Sequence, residues 1–176
     1  MKKLLLAILA CVILGGSSAY ASSPTLTFTR NQGQVTDLTG APRSEVLYYA
    51  QNGDVTLFFT REGVSYVYRS ATEAPEIMRS DVRFLNANPG MKVEATTPEP
   101  FVQNFYLAHA PGGIRNVPSF KAIVYKDIYP HTDLVFHTTE VEGQSYMKYD
   151  FVVHPGGDPS AIRLQYLGFD KAGRTA

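Results

Sequence analysis

The stretch Val55-Thr56-Leu57-Phe58-Phe59-Thr60, followed by Arg61-Glu62-Gly63 and then Val64-Ser65-Tyr66-Val67-Tyr68-Arg69, decides the fold class. Val55, Leu57 and Phe59 alternate with Thr56, Phe58 and Thr60. Val64, Tyr66 and Tyr68 alternate with Ser65, Val67 and Arg69. A period of two places every second side chain on one face of an extended chain, so each segment reads as a strand with one apolar face. The intervening link contains Gly, which supplies a tight reversal, and the two strands read as a β-hairpin.

The same rhythm recurs on both sides of this hairpin. Met147, Tyr149, Phe151 and Val153 alternate with Lys148, Asp150 and Val152, and Ile162, Leu164 and Tyr166 alternate with Arg163 and Gln165. Further strands are expected at Leu26 to Arg30, Val46 to Ala50, Asp81 to Leu85, Val102 to Leu107, Lys121 to Tyr125 and Leu134 to Thr139. Turn chemistry separates them at Asn31-Gln32-Gly33, Gln51-Asn52-Gly53, Asn88-Pro89-Gly90, Pro111-Gly112-Gly113 and Pro155-Gly156-Gly157, where Gly, Asn and Pro favour chain reversal. The segment Ala95 to Pro100, containing Thr-Thr-Pro-Glu-Pro, reads as an extended surface connection. Asp158-Pro159-Ser160 is suited to open one short helical turn, with Asp as cap and Pro where its missing N–H is no loss. Ala71 to Met78 is a weaker helical candidate and reads rather as a loop, because Pro75 interrupts it. About ten short strands without a long amphipathic helix predict an all-β domain, an antiparallel β-sandwich of two packed sheets.

Composition narrows the function classes. The chain has 176 residues, 18% of them charged, with 16 basic and 16 acidic side chains. Balanced charge gives no nucleic-acid footprint, and a 12% aromatic content argues against disorder. Met1-Lys2-Lys3, the apolar run Leu4 to Leu14 and Ala19-Tyr20-Ala21 read as a secretory signal peptide cleaved after Ala21. Eleven apolar residues are too few to span a bilayer, which takes about 20. A competing reading makes Cys11 the acylated residue of a lipoprotein signal, although the apolar run continues past it. Cleavage at Ala21 removes the sole Cys and leaves one domain, residues 22–176, with 14 basic and 16 acidic residues. That domain has no thiol chemistry, no disulfide and no later segment of transmembrane length. The expected location is extracellular or at the cell surface.

Candidate sites are sparse. His131-Thr132-Asp133 and His137 form the densest polar group, and on an uninterrupted strand residues 131, 133 and 137 would share a face, as a Zn site or a base with its orienting carboxylate requires. Pro130 and Thr132 suggest a turn that breaks this alternation, so exposed, non-ligating side chains are the favoured reading. It predicts that replacing His131, Asp133 and His137 together leaves folding largely intact. His109 and His154 read as solvated loop residues beside Pro-Gly-Gly turns. Asp127, Asp133, Asp150 and Asp158 would have to converge across a cleft to make a hydrolase. The favoured reading puts Asp150 on the polar face of its strand, Asp158 at a cap, and Asp127 and Asp133 beside the Tyr129-Pro130 corner. Calcium is the one cofactor that the Asp- and Asn-rich loops suggest, although no Asp-x-Asp-x-Asp-Gly loop occurs. Tyr48, Tyr49, Phe58, Tyr66 and Tyr68 offer a sugar-stacking platform, with Tyr48, Tyr66 and Tyr68 as the candidate ligand-binding residues. The absence of Trp and the habit of strand tyrosines to pack at the core rim favour a structural role.

Several segments in order carry a family likeness: Asn31-Gln32-Gly33-Gln34, Val46-Leu47-Tyr48-Tyr49-Ala50, Val82 to Pro89, Tyr125-Lys126-Asp127-Ile128-Tyr129-Pro130, Tyr149-Asp150-Phe151-Val152-Val153 and Pro155-Gly156-Gly157-Asp158-Pro159. They resemble the N-terminal β-rich domain, of unknown function, of large secreted bacterial proteins in which beta-propeller (SBBP) repeats, PKD or Ig-like modules and type IX sorting domains follow. The likeness spans about Asn31 to Asp170 and implies no catalytic residues. It implies that downstream domains of a longer chain are partners and that the sequence is the N-terminal part of such a protein. The expectation is therefore a non-catalytic module for structure, adhesion or interaction, contacting its own neighbouring domains and an extracellular glycan or protein. A carbohydrate-binding module is the first alternative and a secreted hydrolase the second.

Overall fold

The computed structural model describes residues 26–70, 76–142 and 144–168. The signal-peptide reading, the sole Cys and the C-terminal tail lie outside them, as does most of the Ala71 to Met78 segment, whose end, Ile77 and Met78, opens a strand. Ten strands follow in order: β1 Phe28–Arg30, β2 Tyr48–Asn52, β3 Val55–Phe59, β4 Gly63–Arg69, β5 Ile77–Phe84, β6 Lys92–Leu107, β7 Ala110–Tyr129, β8 Thr132–Val141, β9 Gln144–Val153 and β10 Leu164–Leu167. All pairings are antiparallel. The hairpin that decides the class forms in the expected register: Val55 faces Tyr68, Leu57 faces Tyr66 and Phe59 faces Val64. Asp158 caps the 3-10 turn Pro159–Ala161, as its sequence predicts, and accepts from the Ser160 N–H.

The two-sheet expectation is corrected. The strands form one hydrogen-bonded sheet, ordered β10-β5-β4-β3-β2-β1-β7-β8-β9, with β6 also on β7. The cause is β7, whose 20 residues are long enough to serve both halves. One edge carries β6 almost throughout. The other pairs first with β1 at Ser119 and Phe120 and then with β8 from Ala122 onward. The β1 and β8 arms leave the same edge side by side and curl into a half-barrel. Its concave side is the core. Phe59 of β3 meets Phe136 of β8 at 5.1 Å between ring centroids, and Phe84 of β5 meets Tyr125 of β7 at 5.3 Å, both edge-on. Fully burying side chains such as Phe28, Phe59 and Ile123 contributes about 1.5–3 kcal/mol each.

Two punctuation signals also belong to strands. Pro98 and Pro100 lie inside β6, at a register shift between Pro98 and Val102 that follows directly on Thr97 with φ 56°. Prolines are tolerated there because, among the described residues, β6 pairs with β7 alone, so a missing N–H does not break a second ladder. Pro111-Gly112-Gly113 sits just inside β7, where it forms a bulge with Gly113 at φ 75°, and the reversal falls two residues earlier, at Ala108-His109.

Candidate functional site

The β7–β8 corner is built from the segment that the sequence marks as polar. After Tyr125 the ladder breaks, and it resumes at Tyr129 opposite Thr132. Asp127 and His131 adopt left-handed φ values of 52° and 53°, and the kinked path sends Ile128 and Tyr129 into the core. The Tyr129 hydroxyl donates to the Arg163 carbonyl at 2.7 Å, Asn88 Nδ2 donates to the Asp127 carbonyl, and the His154 N–H donates to the His131 carbonyl. Asp133 is 5% exposed. Its Oδ1 accepts from the Asp127 N–H at 2.8 Å, and its Oδ2 faces Lys126 Nζ at 2.9 Å and His154 Nε2 at 3.2 Å. Desolvation works to raise the Asp133 carboxyl, but the Asp127 N–H, Lys126 and His154 together outweigh it and hold it below the usual range. The same contact raises Lys126.

The grouping of His131, Asp133 and His137 is therefore dispersed. His131 lies in the turn, and His137 pairs through Nε2 with Asp150 Oδ2 at 2.7 Å across β8 and β9. That pair is largely exposed on the outer face, opposite the core-facing Phe136 and Tyr149, and not in a cleft. Asp133 instead takes partners that sequence spacing does not suggest, Lys126 and His154. Of the three, Asp133 is the buried one and holds three partners, so the folding of the triple replacement depends chiefly on it. Among the described residues no group of three or more His, Cys, Asp or Glu could hold a metal ion. His109 Nε2–H donates to the Gly33 carbonyl at 2.9 Å, so it fastens the β6–β7 tip to the loop after β1.

The tyrosines divide by face. Tyr49 and Phe58 pair with each other on the convex side, away from Leu57 and Phe59. Tyr48 is on the concave side but only 3% exposed, packed edge-on against Phe120, so it is part of the core and does not reach the surface. Tyr66 and Tyr68 line a cavity of about 120 Å³ between the inner faces of β4, β5 and β10 and those of β8 and β9, together with Tyr149 and Tyr166. Burial, reinforced by Tyr149, Tyr68 and Tyr166, pushes the Tyr66 hydroxyl up to about 12. Tyr149 and Tyr166 are hydrogen-bonded to each other across the gap between β9 and β10. Strand periodicity places each of these last two on an apolar face, but their meeting depends on the curl of the sheet and is not legible from it.

No curated protein and no solved structure matches the chain. The model of one family, described as a domain of unknown function (DUF7948), matches residues 28–175, a span that takes in the whole curled sheet and its polar corner. The chain belongs to the DUF7948 family of domains of unknown function.

Proposed function

We propose that this domain is an exported, non-catalytic β-module that serves as a structural or interaction unit of a larger cell-surface or secreted protein, joined to neighbouring domains of its own chain through open strand edges. The observation that carries this reading is the open side of the half-barrel. Among the described residues β9 pairs with β8 alone and β10 with β5 alone. Unpaired backbone N–H and C=O groups are templates for another strand. The same strands expose large apolar side chains, Tyr146, Tyr149, Val152 and Val153 on β9 and Tyr166 on β10. An apolar strand edge left bare in a monomer is a liability, and one covered by a neighbouring module is an interface. The N-terminal signal-peptide pattern supports export, and the likeness to leading domains of large secreted proteins supports the multidomain setting, with SBBP repeats, PKD modules or a sorting domain downstream.

The test compares residues 22–176 with the full polypeptide read from the gene, each with and without Tyr146→Lys and Val152→Lys. Charges on the β9 edge are expected to lower the unfolding temperature of the longer protein by about 4–8 °C while shifting the isolated domain by less than about 2 °C. An equal effect on both proteins, or none on either, contradicts the reading.

A second reading, glycan binding, draws on Tyr66 and Tyr68 beside Tyr149 and Tyr166, since aromatic rings are natural stacking surfaces for sugar faces. Retardation on affinity gels that Tyr66→Ala and Tyr68→Ala abolish would support it. No retardation on any glycan gel would remove it.

A further inference from the structure

The cavity under the four tyrosines holds one feature that packing does not account for. Ser80 of β5 stands directly across the ladder from Tyr66, lines the cavity and is 4% exposed, and its Oγ has no hydrogen-bond partner among the described residues. An unsatisfied buried hydroxyl costs about 1–3 kcal/mol, and alanine at this position would avoid that cost. The rest of the lining is aromatic and aliphatic, including Val82, Phe84, Phe136 and Phe151, with no charged side chain. A volume of about 120 Å³ is close to the ~150 Å³ at which an engineered apolar cavity accepts a benzene ring.

We propose that this cavity is a binding site for a small, neutral, single-ring phenol, whose ring fills the space between the two walls and whose hydroxyl pairs with Ser80 Oγ. The volume between the walls matches one ring. The uncharged lining excludes an ionised ligand, which would lose its hydration without a counter-charge. A buried hydroxyl without a partner among the described residues matches a ligand with a single polar group better than a hexose, whose several hydroxyls would face the valine, leucine and phenylalanine side chains of the lining. The tyrosines at the mouth, Tyr149 and Tyr166, stand where the ligand would enter between β9 and β10. The site shares its tyrosines with the glycan reading and its mouth with the β9 and β10 edges, but it rests on neither reading, so a failure to bind phenol leaves both standing.

Phenol titrated into the mature chain, followed by calorimetry and by amide shifts, tests it. Saturable binding with a Kd below about 1 mM is expected, with shifts centred on Ser80 and Val82. Ser80→Ala is expected to weaken phenol about fivefold or more and to leave toluene unchanged. Its unfolding temperature should equal or exceed that of the parent, because the hydroxyl removed has no partner. Val82→Phe, which fills the cavity, is expected to abolish binding of both ligands. The proposal is overturned by any of four results: no saturation by 10 mM phenol, Ser80→Ala binding phenol as tightly as the parent, a clear loss of stability in Ser80→Ala, or displacement of phenol by a hexose.

Discussion

Asp133 holds three donors from three different positions on the corner, and its carboxylate is nearly sealed from water. Asp133→Ala strands the Asp127 N–H and releases Lys126 and His154. A loss of about 2 kcal/mol is expected by denaturant titration, against less than about 0.5 kcal/mol for His137→Ala, whose partner Asp150 is exposed. Because the folded carboxyl titrates lower than it would in the unfolded chain, its contribution is fully present above the ordinary Asp range. It is lost as pH falls through the lowered value, and an acid unfolding series on Asp133→Asn should lack that component. Tyr66 works in the opposite sense. Its hydroxyl is raised to about 12, so the stability it gives is complete below pH 10 and declines as pH rises from 10 toward 12. Spectrophotometric titration of Tyr66→Phe should lose one late-ionising phenol. At this scale the sequence shows which residues are chemically capable but not which of them meet. The Lys126 and His154 partners of Asp133 lie seven residues before and 21 after it, and only the kink at Asp127 and the return of β9 bring them together.

Hairpin geometry explains why Gly63 stands at the start of β4. A Cβ there would lie 2.1 Å from the Val82 carbonyl oxygen of β5, so it is the close approach of the neighbouring strand, and not a positive φ, that demands glycine. Gly63→Ala should cost about 1–3 kcal/mol and slow the pairing of β4 with β5, measurable as a lower denaturant midpoint. Strand identity was largely legible, because β2, β3, β4, β8 and β9 each alternate in a single phase for most of their length. The reach of β6 and β7 was not. Pro98, Pro100, Pro111 and Gly112-Gly113 are breakers in any local reading, yet an edge strand tolerates proline and a bulge absorbs the extra residues. The same prolines keep the β6 edge from recruiting other chains. Pro98→Thr combined with Pro100→Thr is expected to raise light scattering on concentration, whereas unchanged scattering would show that the edge is guarded by other means.

At the scale of the whole molecule, periodicity marks a face as apolar but does not say which other face covers it. Two separate sheets and one curled sheet bury the same residues, and the difference lies in whether the β1 and β8 arms share a strand. They share β7, so the arms are linked through backbone as well as through Phe59 and Phe136, and the domain should unfold in one transition. The curl also leaves β9 and β10 facing each other without a ladder between them, which is where the proposed neighbour docks and where Tyr149 and Tyr166 border the cavity. Amide hydrogen exchange, recorded on residues 22–176 and on the full polypeptide, tests this account most directly. The account predicts that β7 amides from Val117 to Tyr125 exchange slowest in both, by global unfolding, and that edge amides of β9 and β10 exchange freely in the isolated domain but at least about tenfold more slowly in the longer protein. Independent opening of the β8–β9 arm from the β1–β5 arm, or edge amides equally unprotected in both proteins, would contradict it.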